Sequence, residues 1–308
     1  MSGSTVGARL LREIGDLKRL RDARGPGSLA DRAFVRSWRC LAAGHDAGRL
    51  AARETARALV ATRLAGVDAA VLRLAGLDRA EALEVLHRAF DAAVDAGGPE
   101  LGDVADLRAA LEEVVDDEGD AREDRGHVPP FVLALVDQPR AGATHPDAPR
   151  VVVEPPESHG DHCFVTAVYS ALIAPGHGVG RGDAFVVALA HHLPNAELPD
   201  AGYAGEVLLG EHYLPILAAL ERRSLAQLPE ELADRLRTLL PQRETAGTPV
   251  GRVFNAADVL DRVSQVHHHA RAAAFTASQA LEDLDIVHPG AVQAYQLGVL
   301  ADAGLGTR

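Results

Sequence analysis

Apolar residues recur at intervals of three and four along most of this chain of 308 residues, and this spacing constrains its fold more than any other feature. Leu10, Ile14 and Leu17 show the spacing near the start, and it returns after about residue 160. A period close to 3.6 residues places apolar side chains on one face of an α-helix. We therefore expect an all-α fold, with about four or five helices before residue 115 and about five or six after residue 160.

An acidic and proline-rich segment separates the two helical regions. The run EEVVDDEGDAREDR occupies positions 112–125, and five prolines fall between positions 129 and 149. Charge runs and clustered prolines are typical of linkers and surface crossovers. We predict a helical N-terminal region over residues 1–118, a linker over residues 119–150 and a second helical domain over residues 151–308.

The charge and the cysteine content exclude several classes of protein. Lys and Arg total 31 against 44 Asp and Glu, which gives a formal net charge of −13. Such a chain repels phosphate backbones and anionic lipid headgroups, so we expect neither nucleic acid nor a membrane surface as its main partner. The chain has two cysteines and lacks a run of about 20 apolar residues, so we expect a cytoplasmic protein without a disulfide framework.

Histidine is concentrated in the second half of the chain. Eleven of the 14 histidines lie from His145 onward. Imidazole is the commonest metal ligand in proteins and titrates near neutral pH, so this half is where we expect the chemistry. The only lysine, Lys18, lies far along the chain from these histidines, and we therefore expect no Schiff-base chemistry.

Three segments place histidine or aspartate within apolar helical sequence. His159 and His162 stand where a histidine-rich turn opens an apolar helix, and the doublet of His191 and His192 ends another. Asp258 lies between small apolar residues of a third helix, where a carboxylate needs a partner to be tolerated. Ligands at helix ends are held stiffly by the packed turns behind them. The three segments together predict a metal site.

This order of motifs resembles the HD-domain superfamily, which is named for its His…His-Asp…Asp metal-binding motif. The resemblance covers roughly residues 158–263 and implies an HD-like helical bundle, here preceded by a smaller helical N-terminal region. Most members are metal-dependent phosphohydrolases that act on nucleotides, and a smaller branch comprises di-iron oxygenases. By position, His162 takes the first ligand, His191 the histidine of the doublet and Asp258 the final aspartate.

The chain departs from the family at the doublet, where His192 replaces the aspartate. In dinuclear members that carboxylate bridges two metals, whereas a neutral imidazole offers one lone pair to one ion. The sequence therefore favours a single divalent ion, which can be zinc, iron, manganese or nickel. The predicted ligands are His162, His191, His192 and Asp258.

The resemblance implies a hydrolase of a phosphate ester, with a small phosphorylated molecule, in particular a nucleotide, as the expected substrate. A hydrolase of this kind needs groups that move protons and cationic groups that hold the phosphate. The candidates for proton transfer are His192, Glu197 and Asp161. The candidates for binding the substrate are His212, Arg181, Arg252 and Arg262, and His212 is also a candidate metal ligand.

Several alternatives stay open from the sequence. An HD-type iron-dependent oxygenase is one, and a catalytically degenerate HD domain that binds a ligand or partner is another. The doublet of His191 and His192 is also explained by capping alone, because a helix C-terminus favours cationic side chains. His159 is an extra ligand, a residue that orients a ligand, or a loop histidine, and we favour the loop. The N-terminal helices either cover the pocket or form the face of a homodimer.

Overall fold

Helices dominate the structure, a computed structural model that describes residues 6–98, 101, 104–116, 126–152, 154–273 and 286–305. The predicted all-α fold is confirmed. Two short strands, β1 (Ala143–His145) and β2 (Ala148–Val151), form an antiparallel hairpin. In the described part of the chain, no helix combines the length and apolar character needed to cross a bilayer. The α-helices are α1 (Ala8–Gly15), α2 (Leu29–Ala42), α3 (Ala47–Leu64), α4 (Ala69–Leu74), α5 (Arg79–Gly97), α6 (Ala105–Asp116), α7 (Pro130–Asp137), α8 (His159–Ile173), α9 (Arg181–Ala190), α10 (Gly202–Leu209), α11 (Tyr213–Leu225), α12 (Glu230–Leu239), α13 (Pro249–Ala273) and α14 (Gln293–Asp302).

The segment predicted as a linker carries regular structure in its second half. Proline at the first helical position is tolerated because that residue has no intrahelical N–H bond to lose, and Pro130 starts α7 in this way. Phe131, Val132 and Leu135 of this helix are buried. The hairpin of β1 and β2 follows directly, while residues 119–125 of the predicted linker lie outside the described residues.

The helices share one cluster of buried apolar side chains, which includes residues from Val6 to Leu305. Helix α8 lies within it, and every one of its 15 residues is buried. It packs against α2, α9 and α13. Close packing of this kind holds a helix and its side chains in one arrangement. The core therefore fixes α8, α9 and α13, the helices that carry or precede the predicted ligands.

Helices α2 and α8 begin at a shared point. Ser28 and Ser158 are their N-caps, and each forms a capping box with the aspartate three residues later, Asp31 and Asp161. Each serine hydroxyl also donates to the other box, Ser28 to Asp161 and Ser158 to Asp31. Burial, followed by the charge of Asp31, raises the pKa of Asp161 to about 7. This exchange of hydrogen bonds, the interlocked caps, fixes the first turn of α8.

We expect Ser28→Ala to lower the free energy of unfolding by about 1–3 kcal/mol, because it removes a helix cap and a buried hydrogen bond to Asp161. Urea unfolding followed by circular dichroism measures the change. Asp78→Ala is the matched control, since it removes an exposed capping box on α5 that contacts no second box. We expect that control to lose about 1 kcal/mol. Equal losses in both variants would contradict a contribution from the interlocked caps.

Candidate metal centre

Three helices bring the four predicted ligands to one place. His162 lies in the first turn of α8, and His191 is the residue at which α9 ends. His192 follows at the start of a short 3₁₀ turn, and Asp258 lies within α13. Because α8 packs against both α9 and α13, the side chains of these residues come close together.

The Nε2 atoms of His162 and His191 face each other. His162 Nδ1 lies 2.6 Å from Asp261 Oδ2, and a carboxylate oxygen accepts, so this nitrogen donates its proton. His191 Nδ1 lies 2.6 Å from the carbonyl oxygen of Ala188 and also donates. The two Nε2 atoms lie 3.0 Å apart, and in neutral rings with these tautomers each carries a lone pair. Such a pair is stable only when a proton or a metal ion lies between the nitrogens.

His192 and Asp258 supply two further donor atoms. His192 Nδ1 lies 2.8 Å from Asn195 Oδ1, and the Asn195 amide donates to the carbonyl oxygen of Leu198. His192 Nδ1 therefore donates, and its Nε2 keeps a lone pair. Ligand atoms of the three histidines all lie within 4.8 Å of one another. Asp258 Oδ1 lies 3.2 Å from His162 Nε2, which places a carboxylate next to this group.

This set of donors fits a metal ion better than a shared proton. A proton between two nitrogens uses two donors, whereas three imidazoles and one carboxylate converge here. Zinc–nitrogen bonds of about 2.0–2.1 Å in a tetrahedron place two nitrogens about 3.3 Å apart, close to the separation of the two Nε2 atoms. Imidazole and carboxylate are accepted by zinc, iron, manganese and nickel alike, so the donors leave the choice among these metals open.

The protonation states suit metal binding. Burial, followed by the charge of His162, lowers the pKa of His191 well below its ordinary value. Burial and then His191 do the same to the pKa of His192. Burial alone would raise the pKa of Asp258, but Arg262 and His162 outweigh it and lower that pKa below the usual range. At neutral pH both histidines of the doublet are therefore neutral and the carboxylate is charged, as a metal requires.

A buried network behind His162 includes three residues absent from the sequence candidates, Lys18, Glu157 and Asp261. Lys18 Nζ lies 2.6 Å from Asp261 Oδ2 and 2.7 Å from Glu157 Oε2. The Lys18 side chain is only 2% exposed. The separation along the chain was misleading, because in the fold a single carboxylate stands between Lys18 and His162. No local motif marks this lysine, since its partners are distant in sequence.

Buried polar groups without hydrogen-bond partners among the described residues lie near His192. His159 is the first residue of α8 and fully buried, so its predicted loop position is wrong. Its ring centroid lies 4.6 Å from that of His192, and neither ring nitrogen has a hydrogen-bond partner among the described residues. Burial, followed by the charge of Arg140, lowers the pKa of His159 to about 3. Arg140 Nη1 is likewise buried and has no partner in the described part of the chain.

Asp200 bonds to the segment that precedes β1 and interacts electrostatically with Arg140 and His159. Its carboxylate accepts from the backbone N–H groups of Ala141 and Gly202 at 2.8 and 2.9 Å. Burial alone would raise its pKa, but Arg140, these two N–H groups and His159 lower it. The carboxylate is therefore charged and lies within electrostatic reach of Arg140 and His159. Arg140 and Asp200 lie in loops without a motif and were not among the predicted site residues.

Three residues predicted to transfer protons or bind the substrate have their described contacts away from the predicted ligands. They are Asp161, Glu197 and His212. Asp161 is held in the interlocked caps. Glu197 lies at the surface and pairs with Arg223 at 3.0 Å. His212 has a side chain that is 77% exposed, and its described ion-pair partner is the adjacent Glu211. Among the described contacts, none joins these three candidates to the predicted ligands.

Of the three arginines predicted to bind the substrate, only Arg262 contacts a predicted metal ligand within the described part of the chain. Arg181 stands at the opposite end of α9 from the doublet and pairs with Asp106. Arg252 donates to backbone carbonyl oxygens that precede α13. Arg262 Nη2, by contrast, lies 3.1 Å from Asp258 Oδ2, and its Nη1 donates to the carbonyl oxygen of Ile286. Arg262 therefore orients a predicted ligand.

No family model matches the chain, and comparisons with curated proteins and with solved structures gave no significant match.

Proposed function

We propose that this chain is a metal-dependent hydrolase of a phosphate ester, with a small phosphorylated molecule as substrate and nucleotides as the class to test first. The observation that carries the proposal is the convergence of three imidazole rings, with the Nε2 atoms of His162 and His191 3.0 Å apart and a carboxylate oxygen of Asp258 3.2 Å from His162 Nε2. A divalent ion bound there supplies a Lewis acid for a phosphoryl oxygen and lowers the pKa of water. The ligands are His162, His191, His192 and Asp258.

Arg140 is the group best placed to bind the phosphate. Its Nε lies 3.5 Å from Glu157 Oε1, which leaves the buried Nη1 without an acceptor among the described residues. A buried charged donor without an acceptor is costly, and a phosphate oxygen removes that cost through a charge-assisted hydrogen bond. With a net charge of −13 on the chain, binding an anion requires a local positive field of this kind.

His159 takes the role that the sequence analysis gave to His192. When His192 binds the metal through Nε2, its Nδ1 is already engaged by Asn195, so no nitrogen remains for proton transfer. His159 is neutral at pH 7 and therefore has one donor and one acceptor nitrogen, both without partners among the described residues. These nitrogens are available to orient a water molecule or a substrate oxygen.

Metal analysis of protein purified without a histidine tag tests the proposal. We expect about one divalent ion per chain and release of inorganic phosphate from nucleoside monophosphates that stops on chelation and returns when metal is restored. Iron with oxygen-dependent turnover would replace the hydrolase with an oxygenase. Protein that holds no stoichiometric metal under any loading condition would contradict both enzymatic functions and favour a ligand-binding or partner-binding module.

We expect Arg140→Met to raise KM for the phosphorylated substrate by about 10- to 100-fold, since a hydrogen bond to a charged group contributes about 1.5–3 kcal/mol. Metal content should stay at the wild-type level, because Arg140 is not a ligand. Steady-state kinetics and metal analysis on the same preparation measure both quantities. Arg181→Met is the matched control, an arginine that pairs with Asp106 at the far end of α9. An unchanged KM in Arg140→Met would remove this residue from substrate binding.

A further inference from the structure

We propose that Lys18 is a positioning residue of the metal centre, which holds Asp261 so that His162 keeps its proton on Nδ1 and presents Nε2 to the metal. The inference rests on the proposed metal-binding function and extends it to the N-terminal region of the chain. Lys18 is the only lysine of the sequence, and its described ion pairs are with Glu157 and Asp261 rather than with a predicted ligand.

A single oxygen atom links Lys18 to His162. Asp261 Oδ2 lies 2.6 Å from Lys18 Nζ and 2.6 Å from His162 Nδ1, so it accepts from both. The other oxygen, Oδ1, is buried and has no hydrogen-bond partner in the described part of the chain. The orientation of the carboxylate therefore depends on these two donors. A hydrogen bond on one ring nitrogen decides which nitrogen of an imidazole binds metal, and residues that supply such bonds affect metal affinity strongly.

The Lys18 ammonium group also occupies a second position whose surrounding residues have the spacing of metal ligands. Glu157, His162 and Asp261 form a second group with the spacing of metal ligands, and all three are buried. Lys18 Nζ lies between the two carboxylates, 2.7 Å from Glu157 Oε2 and 2.6 Å from Asp261 Oδ2. A cation already fills that position, so the Nδ1 side of His162 is closed to a divalent ion. Only the Nε2 side remains, where His191 and His192 lie.

The fold places Lys18 with precision. It ends the 3₁₀ turn Asp16–Lys18 that follows α1, and this turn packs against α8, which carries His162. Helix α1 packs against α13, which carries both Asp258 and Asp261. The lysine is thus held by the same two helices whose ligands it would position. Its stem is buried with its charge, so the side chain cannot reach water instead.

Two variants test the proposal. Lys18→Met removes the ammonium, and the double variant Lys18→Met/Glu157→Gln removes one buried charge of each sign, so that it folds even where the single variant does not. We expect the dissociation constant for Zn²⁺, measured by competition with a chromophoric chelator, to rise about tenfold or more in the double variant, in which the second group has also lost the charged carboxylate of Glu157. In metal-free protein, ¹⁵N spectra of the histidine side chains should show His162 change from one tautomer to a mixture.

A matched control separates positioning from the loss of a buried ion pair. Arg36→Met removes an arginine that donates to both carboxylate oxygens of the buried Glu54. This variant should lose stability while Zn²⁺ affinity and the His162 tautomer stay as in the wild type. A double variant with wild-type Zn²⁺ affinity and tautomer would overturn the role of Lys18 while leaving the metal site intact. Wild-type protein that binds no Zn²⁺ would overturn the proposed function as well.

Discussion

His191→Ala is expected to abolish stoichiometric metal binding, with the dissociation constant for Zn²⁺ rising more than about 100-fold. The change removes one of three nitrogen donors and also the lone pair that faces His162 across 3.0 Å. Metal-free protein should therefore lose little stability from electrostatics, although the ring also packs on Phe254. The decisive sign is the loss of the Zn²⁺-dependent rise in melting temperature, since a ligand stabilises only the state that binds it. Metal analysis and thermal unfolding with and without Zn²⁺ measure both effects.

His212→Ala is the control for this experiment. His212 has a largely exposed side chain and was the one histidine that the sequence offered between the doublet and Asp258. The variant should keep the wild-type metal content and the full Zn²⁺-dependent shift. If His191→Ala kept its metal while His212→Ala lost it, the ligand set would be different from the one proposed.

Phe131→Ala is expected to lower the free energy of unfolding by about 3–5 kcal/mol, because it opens a cavity in a packed aromatic group. Phe131 is 2% exposed, and its ring meets that of Trp38 edge to face with centroids 4.9 Å apart. Phe131 belongs to α7 and Trp38 to α2, so this contact joins the predicted linker to the N-terminal region. The only tryptophan of the chain reports on α2 by fluorescence, while circular dichroism reports on all helices.

The same measurement tests the predicted division at residues 118 and 150. The buried apolar cluster includes residues of α2, α7 and α8, so we expect fluorescence and circular dichroism to follow one transition in urea. Leu133→Ala is the control, since this residue of α7 is 52% exposed and its loss should change stability by no more than about 0.5 kcal/mol. Two separate transitions would instead favour independent N-terminal and C-terminal domains.

The sequence predicts the helical content well because its signals are local, but it predicts too few helices: among the described residues six α-helices lie before residue 117, where four or five were expected, and seven lie after residue 158, where five or six were expected. Apolar spacing gives α1 and α5, and the Ser28 cap marks the start of α2. The segment before α8 shows where local signals fail. Pro130 starts a helix within the segment predicted as a linker, and the apolar run PFVLALVD has no clear helical period that marks it as one. Tertiary packing on Trp38 decides its state.

The residues of the candidate metal centre also fall into two groups, those that a local pattern predicts and those that it does not. His162, His191, His192 and Asp258 lie in short motifs on helices, so their order and spacing suffice to pick them out. Lys18, Arg140 and Asp200 could not be found, because each reaches the centre through contacts with residues distant in sequence. Lys18 meets Asp261 across 243 positions, a pairing that follows from the packing of α1 on α13 and from no pattern in the chain.

The interlocked caps couple four residues, so we expect these residues to change together during evolution. Ser28 bonds Asp161 across 133 positions, and Ser158 bonds Asp31 across 127. A mutation in either box leaves a buried acceptor or donor of the other box unpaired, so natural selection acts on the two boxes together. Among descendants of this chain, substitutions at Ser28 should covary with those at Asp161, and substitutions at Ser158 with those at Asp31. We therefore expect the half of the chain that carries the candidate metal centre to evolve together with the N-terminal half.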